Sequence, residues 1–216
     1  MREYGRCDST PEMHPERKPP VTARDKGSVP TVGYLTVVED EQHGLFGGYL
    51  LLNSNGRPLE FHCTTPVRAN RAQEILYGPT LREYLCGEQI AAALVRKTNL
   101  APRLICTDMP EVLAVRQHVE VPVIAVAQVA AEQSTAAATD EEGQAWRVDA
   151  AHAVGAPKST ALFSLAGAEV SVCDAHPQDR SAVIEIWQTF AARIDLTEPF
   201  GRIHEAISEA QQAQRG

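Results

Sequence analysis

Between positions 31 and 64 the chain alternates apolar and polar residues in three runs, TVGYLTVV, FGGYLLLN and LEFHCT, separated by polar breaks. Alternation with a period of two puts successive side chains on opposite faces of a strand. The β-branched and aromatic content of the runs favours the same conformation. The pattern predicts an antiparallel meander with strands over 31–38, 46–53 and 59–64. Asn55-Gly56 lies between the second and third runs, and Asn-Gly is the strongest short hairpin signal. Taken as a two-residue loop, it sets Leu52 opposite Leu59, Leu50 opposite Phe61 and Gly48 opposite Cys63 on one apolar face. Tyr49 with His62 and Leu51 with Glu60 then share an amphipathic face, as in a half-buried sheet. Pro58 falls opposite Asn53, a place that suits the start of an edge strand.

The period then lengthens. Asn70 with Gln73 and Thr80 with Glu83 are two capping-box patterns, each predicting a helix start. The first helix runs through Ile75 and Leu76 to Gly78-Pro79, and the second reaches about Lys97. Gly87 inside the second costs about 1 kcal/mol relative to alanine, which points to a close neighbour there. RLICTD over 103–108 reads as a buried strand, Pro110 opens a short helix, and 121–129 reads as another strand. Strand, helix and strand within about 25 residues predict a parallel pair. The stretch 130–159 is alanine-rich and aperiodic, a long excursion with Trp146 as its one large anchor. Strands over 160–165 and 169–173 flank Ala166-Gly167. Val183, Ile186, Trp187, Phe190 and Ile194 form a helical stripe, and Phe200, Ile203, Ile207 and Ala210 form another. The expected fold class is α/β (or α+β), a mixed sheet with an N-terminal meander, a β-α-β unit, a second hairpin and C-terminal helices. It forms one globular domain over 31–212.

Residues 1–30 carry almost no periodic apolar positions and are expected to be a disordered tail. Elsewhere the apolar fraction, 44% over the chain, suffices for a sizeable core. No run of 18 apolar residues predicts a membrane span, and the N-terminus lacks the apolar segment of a secretory signal. Five cysteines lack tight spacing, and four of them sit in apolar runs or predicted helices that suit buried thiols in a reducing cytoplasm. The net charge of −8 disfavours a protein that tracks a phosphate backbone.

The motifs of P-loop nucleotide binding, Rossmann cofactors, zincins and α/β-hydrolases are absent from the sequence, and no motif identifies a cofactor. Two groups of residues remain. Cys106-Thr107-Asp108 and Cys173-Asp174-Ala175-His176 end predicted strands, and ligands of α/β sheets collect beyond the carboxyl ends of strands. If those strands are parallel neighbours, Asp108, Asp174 and His176 converge as candidate catalytic residues for acid–base or divalent-metal chemistry. The commoner role of an aspartate there is to cap the next helix. The second group, Arg57, His62, Arg68 and Arg71, is a candidate anion- or partner-binding set, with Arg68 and Arg71 beside a helix N-terminus. His62 and Cys63 point to opposite faces and share no ligand.

The string GGYLLL…GRPLEFHCTTPV…RAQEILYGPTL…GEQI resembles a bacterial protein family of unknown function over residues 46–125. That resemblance implies no activity and no site residues. The leading expectation is a cytoplasmic interaction or regulatory module that binds a protein partner through a sheet edge or the 130–159 excursion. The alternative is a metal-dependent hydrolase or nuclease using the strand-end acids. The two part on whether Asp108, Asp174 and His176 reach one ion at ~2–2.6 Å.

Overall fold

The structure, a computed structural model, describes residues 30–127 and 162–213. The expected tail, the 130–159 excursion and Trp146 lie outside the described residues. Strands β1 (Thr31–Asp40), β2 (Gly44–Asn53) and β3 (Pro58–Cys63) form the expected antiparallel meander. Helix α1 (Arg71–Tyr77) follows, then a 3₁₀ turn and a helical rod. The rod, here α2, consists of Leu81–Glu83, a π-helical stretch Tyr84–Ala91, and Ala92–Lys97. Strand β4 (Leu104–Thr107), a 3₁₀ helix (Pro110–Gln117) and β5 (Val123–Val126) make the expected parallel pair. Strands β6 (Phe163–Leu165) and β7 (Ala168–Val172) form the second hairpin, and α3 (Asp179–Trp187) and α4 (Glu198–Ala213) end the described chain.

All seven strands share one mixed sheet in the order β3-β2-β1-β4-β5-β7-β6. The parallel pairings are β1–β4 and β4–β5, and β7 runs against β5. The α/β expectation therefore holds, and the two halves of the chain are continuous through β4. Each sheet face carries its own core. Val32, Tyr34, Leu50, Leu52, Leu104 and Ile124 pack beneath Trp187, Phe190, Ile203 and Ile207. Leu35, Tyr49, Leu51, Ile105 and Val123 pack beneath Leu85, Ile90, Leu94 and Leu113. The half-buried meander is corrected by this arrangement, because Tyr49 and Leu51 are fully buried on the face expected to be amphipathic. A strand covered on both faces reads as a nearly continuous apolar run, which is what FGGYLLLN is.

The hairpin between β2 and β3 differs from expectation in its turn. Asn53 and Arg57 close a three-residue loop: the Asn53 N–H donates to Arg57 O at 3.0 Å and Gly56 N–H to Asn53 O at 2.9 Å. The Asn53 side chain drives this choice by accepting from the N–H groups of Asn55 and Arg57 at 2.9 and 3.1 Å, an Asx-type turn. Gly56 alone has positive φ, +73°, as in a type I turn closed by a left-handed residue. The longer loop leaves a bulge, so Leu52 pairs with Pro58 and not Leu59, while Leu50–Phe61 and Gly48–Cys63 pair as expected. The two-residue turn with both central φ angles positive belongs to Ala166 (+51°) and Gly167 (+85°) in the other hairpin.

The Asn70–Gln73 capping box forms in both directions. The Thr80–Glu83 box does not. Thr80 continues a 3₁₀ turn with helical dihedrals, and its hydroxyl donates to Tyr77 O at 2.9 Å. Gly87 does mark a close neighbour: a Cβ there would lie 2.7 Å from the Ala114 Cβ of the 3₁₀ helix.

Candidate functional site

Thr107 of β4 pairs in parallel with Leu35 of β1, so Asp108 and Thr36, the next residue on each strand, come side by side. Helix α4 lays His204 across them. His204 Nε2 is 3.6 Å from Asp108 Oδ2 and 3.3 Å from Thr36 Oγ1. The Asp108 side chain is 3% exposed and that of His204 48%, so the imidazole links a buried acid to solvent. Both contacts fall on the same ring nitrogen. A Ser/His/Asp-type relay uses one nitrogen for the nucleophile and the other for the acid, so Thr36 is not placed as the nucleophile of such a relay. The imidazole can hold or exchange a proton at Nε2.

Asp174 and His176 are elsewhere. The condition for convergence, parallel neighbouring strands, is not met, because β5 lies between β4 and β7 and β7 is antiparallel to it. Val172 pairs with Ile124, which pairs with Cys106, so the chain reaches Asp174 at the amino end of the parallel strands. Asp108 sits at their carboxyl end. The offset is roughly 13 Å along the strands and two strand spacings of ~4.8 Å across them. Among the described residues no group of three or more His, Cys, Asp or Glu is placed to hold a metal ion. Thr107 Oγ1 accepts the Met109 N–H at 3.2 Å, and α3 begins without a side-chain cap. Asp174 Oδ1 is buried with no hydrogen-bond partner among the described residues, and His176 Nδ1 lies 3.3 Å from Gln178 Nε2.

The second set is dispersed as well. Arg57 is exposed in the β2–β3 loop. Arg71 is exposed and pairs with Glu74 at 2.9 Å. Arg68 lines an open cleft of about 510 Å³ together with Glu39, Val67, Pro79 and Arg82. At the start of α1, Asn70 Oδ1 accepts the Gln73 N–H and Gln73 Oε1 accepts the Asn70 N–H. Those donors are turned into the chain and not toward an anion. His62 donates to, or is paired with, Glu60 Oε2 at 2.9 Å. The same oxygen accepts from Thr98 Oγ1 at 2.8 Å. His62, then Thr98, hold the Glu60 carboxyl below its ordinary value.

Two features escaped the sequence reading. One is an ion pair between Arg116 and Asp179, with side chains 12% and 5% exposed. Nothing local marks either residue, since each resembles a helix-surface charge. The other is the outer side of β3. Among the described residues it ends the sheet, and the Thr64 N–H donates to Gly47 O at 3.0 Å. By the two-residue repeat, Thr64, His62 and Glu60 turn their main chains toward β2, and Phe61 and Cys63 turn theirs outward. Leu59 and Phe61 are 43% and 40% exposed on one sheet face, and Cys63 is exposed beside them. Cys63 was expected to be a buried thiol; its place on an outermost strand explains the difference.

No described helix is long and apolar enough to cross a membrane. No protein-family model matches the chain, and comparison with curated proteins gives no match.

Proposed function

We propose that the chain is a cytoplasmic protein-interaction module whose binding element is the outer edge of β3. The observation that carries this reading is the outward main chain of Phe61 and Cys63 beside half-exposed Leu59 and Phe61. An extended segment added there gains main-chain hydrogen bonds and covers both side chains, the strand-addition mode of recognition. Free thiols at all four described cysteines support a reducing compartment. The test is affinity capture from one lysate with wild type and Phe61→Lys as parallel baits. A protein held by the wild type and lost with the variant supports the reading. Equal capture by both baits opposes it.

A second reading, hydrolysis with the strand-end acid Asp108, is favoured by one observation, the 3.6 Å approach of His204 to that carboxylate. It makes His204 the proton carrier and requires further ligands for a metal-dependent form. Titration of Mg²⁺, Mn²⁺ and Zn²⁺ against wild type and Asp108→Asn tests it. A melting temperature raised by metal in the wild type alone supports hydrolysis. No shift opposes it.

A further inference from the structure

The chemistry along β3 narrows the partner. We infer that the segment added to this edge is β3 of a second copy of this chain, related by a two-fold axis through Phe61; the inference rests on the reading of β3 as the binding element.

Parity limits the possible registers. Residues whose main chains face outward must meet residues that also face outward, here Phe61 and Cys63 together with Leu59 at the bulge. Three symmetric antiparallel registers satisfy this, centred on Glu60, Phe61 or His62. Centring on Glu60 sets two carboxylates face to face, and centring on His62 sets two imidazoles face to face. Centring on Phe61 places Phe61 against its own copy and Leu59 against Cys63 of the second copy. It also places Glu60 against His62 twice, once on each side of the axis.

That register is self-complementary, as an isologous interface must be. Within one chain Glu60 and His62 already share a 2.9 Å contact, and their side chains are only 19% and 26% exposed. Each carboxylate would gain a second imidazole from across the axis, closing a ring of four alternating groups. On the opposite face, the half-exposed Leu59 and Phe61 gain cover. Sheet edges are commonly guarded against pairing by proline, bulges and charge. In β3 the proline and the bulge both lie at its start, leaving Glu60 to Cys63 regular. The opposite edge, β6, spans only three residues.

The test is sedimentation velocity of the full chain over a wide concentration range, with wild type, His62→Glu and the double swap Glu60→His with His62→Glu. The wild type is expected to dimerise reversibly. His62→Glu sets carboxylates opposite carboxylates at two places and should weaken dimerisation about tenfold. The swap restores the opposite pairing and should return the dimer. Phe61→Lys sets two ammonium groups face to face at the axis and gives the same test if His62→Glu does not fold. A wild type that stays monomeric at every concentration overturns the inference, while the capture experiment still decides whether the edge binds another protein. A dimer indifferent to both His62→Glu and Phe61→Lys also overturns it.

Discussion

Arg116 and Asp179 meet through two hydrogen bonds, Nε to Oδ2 at 2.6 Å and Nη2 to Oδ1 at 3.2 Å. Arg116 also donates from Nη1 to Val119 O at 2.7 Å. The 3₁₀ helix that carries Arg116 packs on one sheet face and α3 on the other. The pair therefore clamps the two layers around the amino end of the parallel strands. Removing one member of a buried pair strands the other charge, at a cost of about 3–5 kcal/mol. Asp179→Asn is expected to lower stability by about 3 kcal/mol, read from the urea midpoint. A midpoint within experimental error of wild type would show that water reaches Arg116 freely.

Gly48 faces the opposite helix layer from Gly47, and each lets a helix approach the sheet. A Cβ at Gly48 would meet Ile203 Cγ2 and Ile207 Cδ1, the latter at 2.9 Å. Cγ2 of isoleucine sits on a stiff branched carbon and cannot swing away. Gly48→Val is expected to cost about 1–3 kcal/mol through overpacking. Ile203→Ala in the same chain should recover part of the loss, as a double-mutant cycle in denaturant would show.

Ala166 carries φ +51° in its two-residue turn. An L-residue there pays a steric cost of roughly 1–2 kcal/mol, partly offset in glycine by its freer unfolded chain. Ala166→Gly is expected to raise stability by about 0.5 kcal/mol, and Gly56→Val to lower it by more than about 1 kcal/mol. Opposite movements of the two thermal midpoints check both turn assignments together.

Asp195 Oδ1 accepts the N–H groups of Glu198 and Thr197 at 2.9 and 2.7 Å and the Thr197 hydroxyl at 2.8 Å. Those bonds, the one from Glu198 first, lower the Asp195 carboxyl from its ordinary 3.8. The stability they confer is fully present above the unfolded value and disappears as pH falls through the lower folded value. Asp195→Asn keeps an acceptor at the helix start but does not titrate. Its stability should fall less steeply than wild type below about pH 4, measured by urea unfolding at several acid pH values. Parallel slopes would remove Asp195 from the acid response.

Alternation along 31–64 made the meander legible, and the register survived at Leu50–Phe61 because side-chain parity tolerates few alternatives. The turn was misread because the Asn53 side chain competed with Asn55-Gly56 for the loop, a contest that residue preferences do not settle. Gly87 was informative because glycine inside a helix needs a reason, and Ala114 supplies it. The direction of β7 was invisible: an apolar run looks alike read either way. That one unknown separated Asp174 and His176 from Asp108. His204 lay hidden for a different reason. Its partner is 96 positions away in the chain, and nothing near it in sequence announces an acid.

The packing of Ile203 and Ile207 over the strand that carries Gly48 and Leu50 also sets an order of events during synthesis. The meander leaves the ribosome early, with only local pairings to find, but one side of it must wait for a helix about 150 positions later. At roughly 5–20 residues per second, Tyr34, Leu50 and Leu52 face water for on the order of ten to thirty seconds.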